Sequence, residues 1–436
     1  MRKFPMPAPL RLGIAGLGTV GVGVIRLIQT EADLIAARSG RRIEVTAVSA
    51  RDRQKNRDVD LSGFVWEDDA VRLAQRPDVD VYIELMGGDS GAAKASTEAA
   101  IAAGKDVVTA NKALLAHHGQ ALALAAEAAG RVIRFEAAVA GGIPVIKALT
   151  EGLAANRIKR VMGVMNGTCN YILTRMESAG LPYETVFEEA RALGYLEADP
   201  NLDVGGIDAG HKLSLLAAIA FGTKVRFDAV ELEGIGRIAI EDIRHAAEMG
   251  YRIKLLGVAQ MTGRGLEQRM SPCLVPSDSP LGQLQGGTNM VVLEGAASGQ
   301  IVLRGAGAGA GPTASAVMAD VIDIARGFRL PVFGQPAATL ADAIPARAAT
   351  PAPYYLRMTL QDKPGALAKI ATCLGAAGIS IDQMRQLNQP GEPDEAAIVL
   401  IVTHKAAPAD VSHATAQFGT TGVLVGDPVA IRIEEV

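Results

Sequence analysis

A glycine loop near the amino terminus constrains the fold of this chain more than any other feature. In LGIAGLGTVGVGVIRLI, residues 12–28, a short apolar run precedes Gly16, Gly18 and Gly21, and an apolar periodic stretch follows them. This order predicts a strand, a G-x-G-x-x-G turn and a helix. Gly16 permits the tight turn, Gly18 lets the backbone approach a pyrophosphate, and Gly21 lets the helix pack on the strand. The loop therefore predicts a Rossmann-type dinucleotide site, and a glycine-rich turn without a ligand is the alternative.

The loop after the second predicted strand bears on which dinucleotide is bound. The stretch AVSARDRQK, residues 47–55, lacks an acidic residue at the strand end, where one would bind a ribose 2′-hydroxyl. It carries instead Arg51, Arg53 and Lys55, whose cations suit a 2′-phosphate. We therefore expect NADP, with Arg51 and Arg53 as contacts. Asp52 is close enough to keep NAD open, and a solvated basic loop is the alternative.

Composition excludes several classes of partner. The net charge is −4, the lysines and arginines are scattered, and there is one tryptophan, so nothing favours nucleic-acid binding. No apolar run approaches the ~18 residues of a membrane span. Cys169, Cys273 and Cys373 have neither zinc-site spacing nor the even count of a disulfide framework. These features predict an untargeted cytoplasmic protein whose partners are small molecules, with no nucleic acid and no membrane.

The apolar pattern divides the chain into several parts. A length of 436 residues favours two or three domains. Strand-like runs alternate with helical stretches at first, as in a parallel sheet built from βαβ units; a mixed α+β segment and then a proline- and alanine-rich stretch follow. The predicted parts are a dinucleotide-binding domain of residues 1–144, to which residues 305–330 can return, an α+β domain of residues 145–330, a linker of residues 331–353 and a tail domain of residues 354–436.

Two lysines are candidates for chemistry. In NLDVGGIDAGHKLSLLAAIAFG, residues 201–222, Asp208 and Lys212 share one helical stripe with apolar residues. Lys212 either reaches solvent or pairs with Asp208 at i,i+4, or it transfers a proton. Asn111 and Lys112 follow a predicted strand, at the sheet edge where ligands bind. A surface lysine at a helix start is the alternative for Lys112.

Four further stretches, taken together with the glycine loop, resemble the homoserine dehydrogenase family. They are FEAAVAGGIPVI, VMGVMNGTCNYIL, GYLEADPNLDVGGIDAGHK and GAGAGPTASAVMAD. The likeness covers most of the first 330 residues, with Met86 where isoleucine is more usual. It implies NAD(P)-dependent interconversion of L-homoserine and L-aspartate 4-semialdehyde, a step toward threonine and methionine, in a homodimer or homotetramer. It also makes the α+β segment the catalytic and dimerisation domain.

The resemblance also implies roles for individual residues. Lys212 is the expected proton donor and acceptor, and Lys112 is expected to contact both substrate and cofactor. The residues expected to hold the substrate's amino end are Glu197, Asp203 and Asp208. Those expected along the cofactor are Gly16, Leu17, Gly18, Thr19, Val20, Gly21 and Gly309. Those expected around a monovalent cation, with Na+ favoured because carbonyls and one carboxylate suit a hard ion, are Glu136, Val139, Gly141 and Ile143. A structural carboxylate is the alternative for Glu136.

The chemistry of the residues agrees with these roles. A hydride leaves a hydroxyl-bearing carbon only as the hydroxyl loses its proton, so a base must stand beside it. Apolar neighbours disfavour a charged Lys212, whereas Asp208 and Glu197 favour one, and such opposition suits a proton-transfer group. Two other readings stay open: a different NAD(P) oxidoreductase acting on an amino-acid carbonyl, and a catalytically inactive amino-acid sensor.

The tail resembles an ACT domain, a small regulatory module that binds amino acids. YYLRMTLQDKPGALAKIATCLGAAGISIDQMRQL and the residues after it indicate a ferredoxin-like βαββαβ order with a D-x-P-G turn. The resemblance implies an amino-acid effector, with L-threonine favoured as the end product, at Asp362, Gly365 and Ala366. Gly365 allows a tight turn with free amide groups for a carboxylate. An inert oligomerisation module is the alternative.

Overall fold

The first part of the chain forms a parallel sheet. The computed structural model describes residues 7–197, 199–388 and 396–436. Six strands pair in the order β3-β2-β1-β4-β5-β6, all parallel. The strands are β1 Leu10–Ala15, β2 Ile43–Ser49, β3 Val65–Trp66, β4 Val81–Glu84, β5 Asp106–Thr109 and β6 Ile133–Arg134. This is the strand order of a dinucleotide-binding sheet, so the predicted Rossmann-type fold is confirmed.

Helices cover this sheet and connect its strands. They are α1 Thr19–Thr30, α2 Ala32–Ser39, α3 Ala70–Gln75, α4 Gly91–Ala102, α5 Lys112–Ala128, α6 Glu136–Ala140 and α7 Val145–Lys147, the last followed by a π-helical turn over Ala148–Gly152. The Asn111 side chain caps α5 by accepting the Leu114 N–H at 3.0 Å, and it donates to the Gly88 carbonyl at 2.7 Å. These two bonds tie the loops after β4 and β5 together and make Lys112 the first residue of α5.

The middle of the chain is an α+β unit. Its strands are β7 Ile158–Val164, β8 Glu231–Leu232, β9 Tyr251–Thr262, β10 Gly265–Pro276, β11 Thr288–Gly295 and β12 Gly299–Ala306. Its helices are α8 Gly167–Ala179, α9 Tyr183–Ala192, α10 Asn201–Val204, α11 Ile207–Phe221, α12 Ile240–Glu248 and α13 Ala310–Arg326, with a 3-10 turn over Phe227–Ala229. Strands β12-β11-β7-β9-β10 pair in that order, and α11 lies buried against them.

Helix α13 belongs spatially to the first sheet. It packs along α1, and Val24 and Val317 lie in one apolar core with the strands of that sheet. A Cβ on Gly23 would lie 2.7 Å from the Ala310 carbonyl oxygen, so the two helices approach as closely as backbones allow. The chain thus returns to the dinucleotide-binding sheet after it has built the middle unit.

The tail completes a second sheet. Its elements are β13 Tyr354–Gln361, α14 Ala366–Ala376, β14 Ile381–Asn388, β15 Ala396–Thr403, α15 Pro408–Phe418 and β16 Leu424–Ile433, with a 3-10 turn over Gly419–Thr421. Its four strands pair antiparallel in the order β16-β13-β15-β14, which confirms the ferredoxin-like ACT fold. Strand β16 also pairs in parallel with β10, so the tail and the middle unit share one ten-stranded sheet.

Buried ion pairs reinforce the contact between the tail and the middle unit. Asp242 at the start of α12 is fully buried, and Arg357 of β13 binds its two carboxylate oxygens at 2.5 and 3.1 Å. Arg269 of β10 pairs with Glu434, which follows β16. Because each of these charges is removed from water, losing one partner would leave the other uncompensated.

The segment predicted to be a linker runs along the middle unit. It contains a 3-10 turn over Ala337–Thr339, and Phe333 is buried in the main core. Ala341 forms backbone bonds with Gly222 and Lys224, and Pro345 lies in a β-bridge with Leu266. Within the described ranges, no helix is long and apolar enough to cross a membrane.

Candidate functional site

A cavity of about 580 Å³ opens at the carboxyl ends of the parallel strands, between the dinucleotide-binding sheet and the middle unit. Both units contribute to its wall. From the first come Thr19, Val20, Ala110, Lys112, Ala137, Ala138, Val139 and Gly141. From the second come Asn166, Gly167, Thr168, Gly194, Tyr195, Glu197, Asp203, Asp208, Lys212, Gly287, Asn289, Gly307, Ala308, Gly309 and Thr313. Ligands of open α/β sheets bind at this edge.

One carboxylate joins the two predicted lysines in this cavity. The Lys112 Nζ lies 2.7 Å from Asp208 Oδ1, and the Lys212 Nζ lies 2.7 Å from Asp208 Oδ2. Asp208 is 7 % exposed and Lys212 is 8 % exposed, so neither charge is solvated. The pairing at i,i+4 that the sequence left open is present, and it occurs inside the cavity rather than on the surface.

The electrostatics of this cluster favour charged groups. Burial by itself would raise the pKa of Asp208, but the ammonium groups of Lys212 and Lys112 outweigh burial and hold that pKa below its usual range. Burial would lower the pKa of Lys112, but Asp208 outweighs it and raises that pKa. The cluster is therefore a desolvated carboxylate held between two ammonium groups.

The backbone of the middle unit orients Lys212. The Lys212 Nζ donates to the Met165 carbonyl at 2.9 Å, one residue past the end of β7. Gly206, with φ of +80°, immediately precedes α11 and aims its first turn at the cavity. Two acceptors, one carboxylate and one carbonyl, thus hold the Lys212 ammonium.

The other predicted substrate residues form a polar wall beside this cluster. Asp203 is buried and accepts the Asn166 side-chain N–H at 2.9 Å and the Glu197 backbone N–H at 3.0 Å. Burial raises the pKa of Glu197, although the charge of Lys112 opposes the rise. Asn166 also caps α8 by accepting the Cys169 N–H at 2.8 Å. Asn166 was not singled out from the sequence, although an asparagine just before a helix is a signal for a cap.

The glycine loop has the geometry that its spacing predicts. Gly16 has φ of +101°, and a Cβ there would lie 2.4 Å from the Leu85 carbonyl oxygen. A Cβ on Gly21 would lie 2.0 Å from the Gly16 carbonyl oxygen. Around Gly18 there is no atom within 4 Å of such a Cβ, and α1 begins at the next residue. Gly16 and Gly21 thus allow the tight turn, and Gly18 leaves open space at the start of α1.

The basic loop after β2 lies outside the cavity wall described above. Arg51 and Arg53 are exposed, and the Arg53 guanidinium lies 5.7 Å from the centre of the Trp66 ring. The Asp52 carboxylate accepts the N–H groups of Gln54 at 2.9 Å and Lys55 at 3.2 Å, so it is engaged in shaping the loop.

A third arginine, which the sequence did not single out, fixes this loop. Arg57 is buried, and its guanidinium donates to the Leu17 carbonyl at 3.1 Å and to the Lys55 carbonyl at 2.8 Å. It therefore connects the glycine loop to the basic loop. No sequence spacing signals this contact, because the two loops meet only in the folded sheet.

Among the predicted cation residues, Glu136 carries a buried carboxylate. Glu136 begins α6, and its two carboxylate oxygens accept the N–H groups of Ile146 at 2.9 Å and Lys147 at 2.8 Å. Burial raises the pKa of Glu136 to about 7, and the Asp320 carboxylate adds to the rise. Val139 and Gly141 line the cavity itself, and Gly141 has φ of +56°. Ile143 is buried behind them.

The predicted effector residues lie in the tail, apart from the cavity. Gly365 has φ of +85° and immediately precedes α14, which begins at Ala366. Asp362 is exposed, and its carboxylate accepts a long hydrogen bond of 3.5 Å from the Gln386 side chain.

This fold and this site define an NAD(P)-dependent oxidoreductase. A family model described as "Homoserine dehydrogenase, NAD binding domain" matches residues 16–136, one described as "Homoserine dehydrogenase" matches residues 144–322, and one described as "ACT domain" matches residues 354–418. The chain belongs to the homoserine dehydrogenase family.

Individual relatives support the same assignment. The chain is 43% identical over 434 residues to a homoserine dehydrogenase of Neisseria gonorrhoeae, covering 98% of this chain and 99% of that one. The crystal structure of a homoserine dehydrogenase from Thiobacillus denitrificans superposes with a TM-score of 0.91 at 40% identity, covering 98% of both chains. A hyperthermophilic archaeal homoserine dehydrogenase in complex with NADPH has a TM-score of 0.63 at 25% identity and covers 73% of this chain and 98% of that one.

Proposed function

We propose that this enzyme interconverts L-homoserine and L-aspartate 4-semialdehyde with NADP as the preferred cofactor, and that Lys212 is the proton donor and acceptor. The observation that carries the proposal is the Lys112–Asp208–Lys212 cluster in the cavity beside the glycine loop. A sensor without activity would have no use for two lysines on one buried carboxylate, since assembling such a cluster costs stability.

Lys212 is suited to move a proton at the oxygen of the reacting carbon. When bound, the cofactor accepts or supplies the hydride. An ammonium group has three N–H donors, and two of those on Lys212 are directed to the Met165 carbonyl and to Asp208. The third is therefore left for the substrate oxygen. In our proposal Asp208 also holds Lys112, which then orients the substrate without competing for that proton.

The acidic wall is suited to the substrate's ammonium group. Glu197, Asp203 and Asp208 line one side of the cavity. In our proposal Glu197 and Asp208 attract the ammonium, and Asp203 sets the position of Glu197 by accepting its backbone N–H at 3.0 Å. In our proposal the amino end of the substrate therefore lies against this acidic wall.

The NADP preference rests on the loop after β2. That strand ends at Ser49 rather than at an acid, and Arg51 and Arg53 are exposed on the loop that follows. A guanidinium can bind a 2′-phosphate through two parallel hydrogen bonds. Gly16, Gly18 and Gly21, with Leu17, Thr19, Val20 and Gly309, would accommodate the pyrophosphate region.

We also propose a monovalent cation, with Na+ favoured, at Glu136, Val139, Gly141 and Ile143. The support is a buried carboxylate whose burial raises its pKa to about 7, since a nearby cation would favour its charged form. Carbonyl groups of a glycine-rich turn beside one carboxylate suit a hard ion. The cation would then act on the cavity wall through Val139 and Gly141, without taking part in proton transfer.

For the tail we propose feedback inhibition by L-threonine at Asp362, Gly365 and Ala366, in a homodimer or homotetramer of the reducing cytoplasm. In this exposed turn the N–H groups of Lys363 and Ala366 already donate to backbone carbonyls, at 2.9 and 3.1 Å, so in our proposal the carboxylate binds at the N–H of Gly365, where φ is positive. The pairing of β16 with β10 offers a direct mechanical route from the tail to the middle unit. Threonine would have to bind one arrangement of these units better than another.

Replacing Lys212 by alanine tests the central proposal. Lys212→Ala should lower kcat by about 10²-fold or more, because general acid–base catalysis contributes on that scale, with NADPH binding nearly unchanged. Steady-state rates and NADPH fluorescence would be measured. The matched control is Lys224→Ala, which removes a lysine in a surface pair with Asp342 and should leave kcat near the wild-type value. A folded Lys212→Ala enzyme with near-normal kcat would refute the assignment.

Cofactor choice is tested by a double substitution. Arg51→Ala with Arg53→Ala should raise KM for NADPH about 10-fold or more and leave KM for NADH nearly unchanged, because charge-assisted bonds to a phosphate contribute about 1.5–3 kcal/mol. Arg42→Ala with Arg72→Ala removes the same number of exposed arginines from the same unit and should change neither. Equal kcat/KM for NADPH and NADH in the unmodified enzyme would contradict the proposal.

Cation binding is tested by thermal unfolding at constant ionic strength. With Na+ at 10 times its dissociation constant, the native state gains about 1.4 kcal/mol, so Tm should be higher in sodium chloride than in choline chloride. Glu136→Gln should abolish the difference between the two salts, whatever its own Tm. The same Tm of the unmodified enzyme in both salts would exclude a specific site.

Threonine regulation is tested in the intact chain, because removing the tail would uncover β10 and leave Arg269 without Glu434. Millimolar threonine should inhibit the enzyme, and Asp362→Ala should weaken the inhibition at least 10-fold without changing the uninhibited rate, since one lost charge-assisted contact is worth about that factor. Asp427→Ala, an exposed acid on β16, is the control. If threonine neither inhibits nor gives heat on titration, the tail serves oligomerisation instead.

A further inference from the structure

Asn289 is a buried polar residue of the cavity wall to which nothing above assigns a role. It lies in β11, whose next residue, Met290, pairs with Val164 at the end of β7. It is 1 % exposed and lines the cavity that holds the lysine cluster. A fully buried amide must satisfy several donors and acceptors, so its contacts are informative.

Asn289 shares an acceptor with Lys212. Its Nδ2 donates to the Met165 carbonyl at 3.1 Å, and the Lys212 Nζ donates to the same oxygen at 2.9 Å. A carbonyl oxygen has two lone pairs, and here each one has a separate donor. Asn289 therefore fixes the direction of the carbonyl that in turn fixes Lys212.

Among the residues that the structure describes, the other end of the amide has no hydrogen-bond partner. Since Nδ2 faces the Met165 carbonyl, Oδ1 points elsewhere, and within the described part of the chain no hydrogen-bond donor reaches it. Leaving a buried acceptor unsatisfied costs about 1–3 kcal/mol. In a cavity wall, such an atom indicates a donor that arrives with a ligand.

Two glycines make room for this side chain. A Cβ on Gly307 would lie 1.9 Å from Asn289 Nδ2, which no side chain could tolerate. A Cβ on Gly167 would lie 3.4 Å from Asn289 Oδ1. The amide is thus held in a slot between the start of α8 and the turn after β12, and its orientation is set by packing as well as by hydrogen bonding.

We propose that Asn289 is a positioning residue for Lys212 and that its Oδ1 accepts a hydrogen bond from the ammonium or hydroxyl group of the bound amino-alcohol substrate. This inference rests on the proposed function of the cavity. The Asn289 side chain donates an N–H group to the Met165 carbonyl, which also accepts from the Lys212 ammonium. Removing that N–H group frees the Met165 carbonyl to turn, so the Lys212 ammonium loses its fixed direction toward the substrate oxygen.

The test compares Asn289→Leu, which removes both polar ends, with Asn289→Asp, which keeps the shape and an acceptor but loses the donor. Both should lower kcat by about 10- to 100-fold, the scale of a misplaced catalytic group. Asn289→Leu should also raise KM for homoserine more than Asn289→Asp does. NADPH binding, followed by fluorescence, should be unchanged.

The control is Asn156→Leu, which removes an asparagine at the far end of the β11–β12 hairpin, where its Oδ1 accepts the Ala297 N–H at 3.1 Å. It should leave kcat and KM for homoserine unchanged. A folded Asn289→Leu enzyme with near-normal kcat, or with a KM for homoserine no higher than that of Asn289→Asp, would overturn the proposal. If both Asn289 variants unfold, Asn289 has a purely structural role, and the proposal is overturned in that case too. If the unmodified enzyme does not turn over homoserine, the proposed function itself is wrong. If the unmodified enzyme is active and only Lys212→Ala loses activity, the proposed function stands and only the role of Asn289 is wrong.

Discussion

The Asp208 carboxylate, held between the ammonium groups of Lys112 and Lys212, is the interaction on which the site depends. One lysine comes from α11, which also carries Asp208 in its first turn, and the other comes from the first turn after β5 in the dinucleotide-binding sheet. Burying a carboxylate alone would cost a large free energy, whereas burying it between two cations costs much less. The same three side chains therefore join the two units and set the charge of the cavity. The site consequently exists only when the two units are packed against each other.

Much of the cavity wall beside this cluster consists of backbone atoms. The Met165 carbonyl receives Lys212 and Asn289, and glycines at positions 167, 287, 307 and 309 bring the main chain to the cavity surface. Small residues leave volume for ligands, and the backbone groups that they expose cannot rotate away. Such a wall is rigid, so the direction of the Lys212 ammonium is determined before a ligand arrives.

A short physical path connects the tail to this site. Strand β16 pairs with β10, and the Met270 side chain of β10 packs against Gly206, where an added Cβ would lie 3.1 Å from Met270 Cγ. Gly206 precedes the helix that carries Asp208 and Lys212. The buried pairs of Arg357 with Asp242 and of Arg269 with Glu434 hold the tail against the middle unit. A displacement of the tail sheet therefore bears directly on the helix that carries Asp208 and Lys212, because packed elements transmit shifts rather than absorb them.

The local sequence determined those features that depend only on residues close together in the chain. The spacing of Gly16, Gly18 and Gly21 predicted the strand, turn and helix, and the i,i+4 spacing of Asp208 and Lys212 made their pair one of the open alternatives, because both depend only on backbone geometry over one or two turns. Only the tertiary structure decided that Lys112 binds the same carboxylate, that Arg57 joins two loops and that Asn289 shares the acceptor of Lys212. Those contacts join positions up to 124 residues apart. Such pairs follow no sequence period, so they are set by how the two sheets pack and by which buried groups must find partners there.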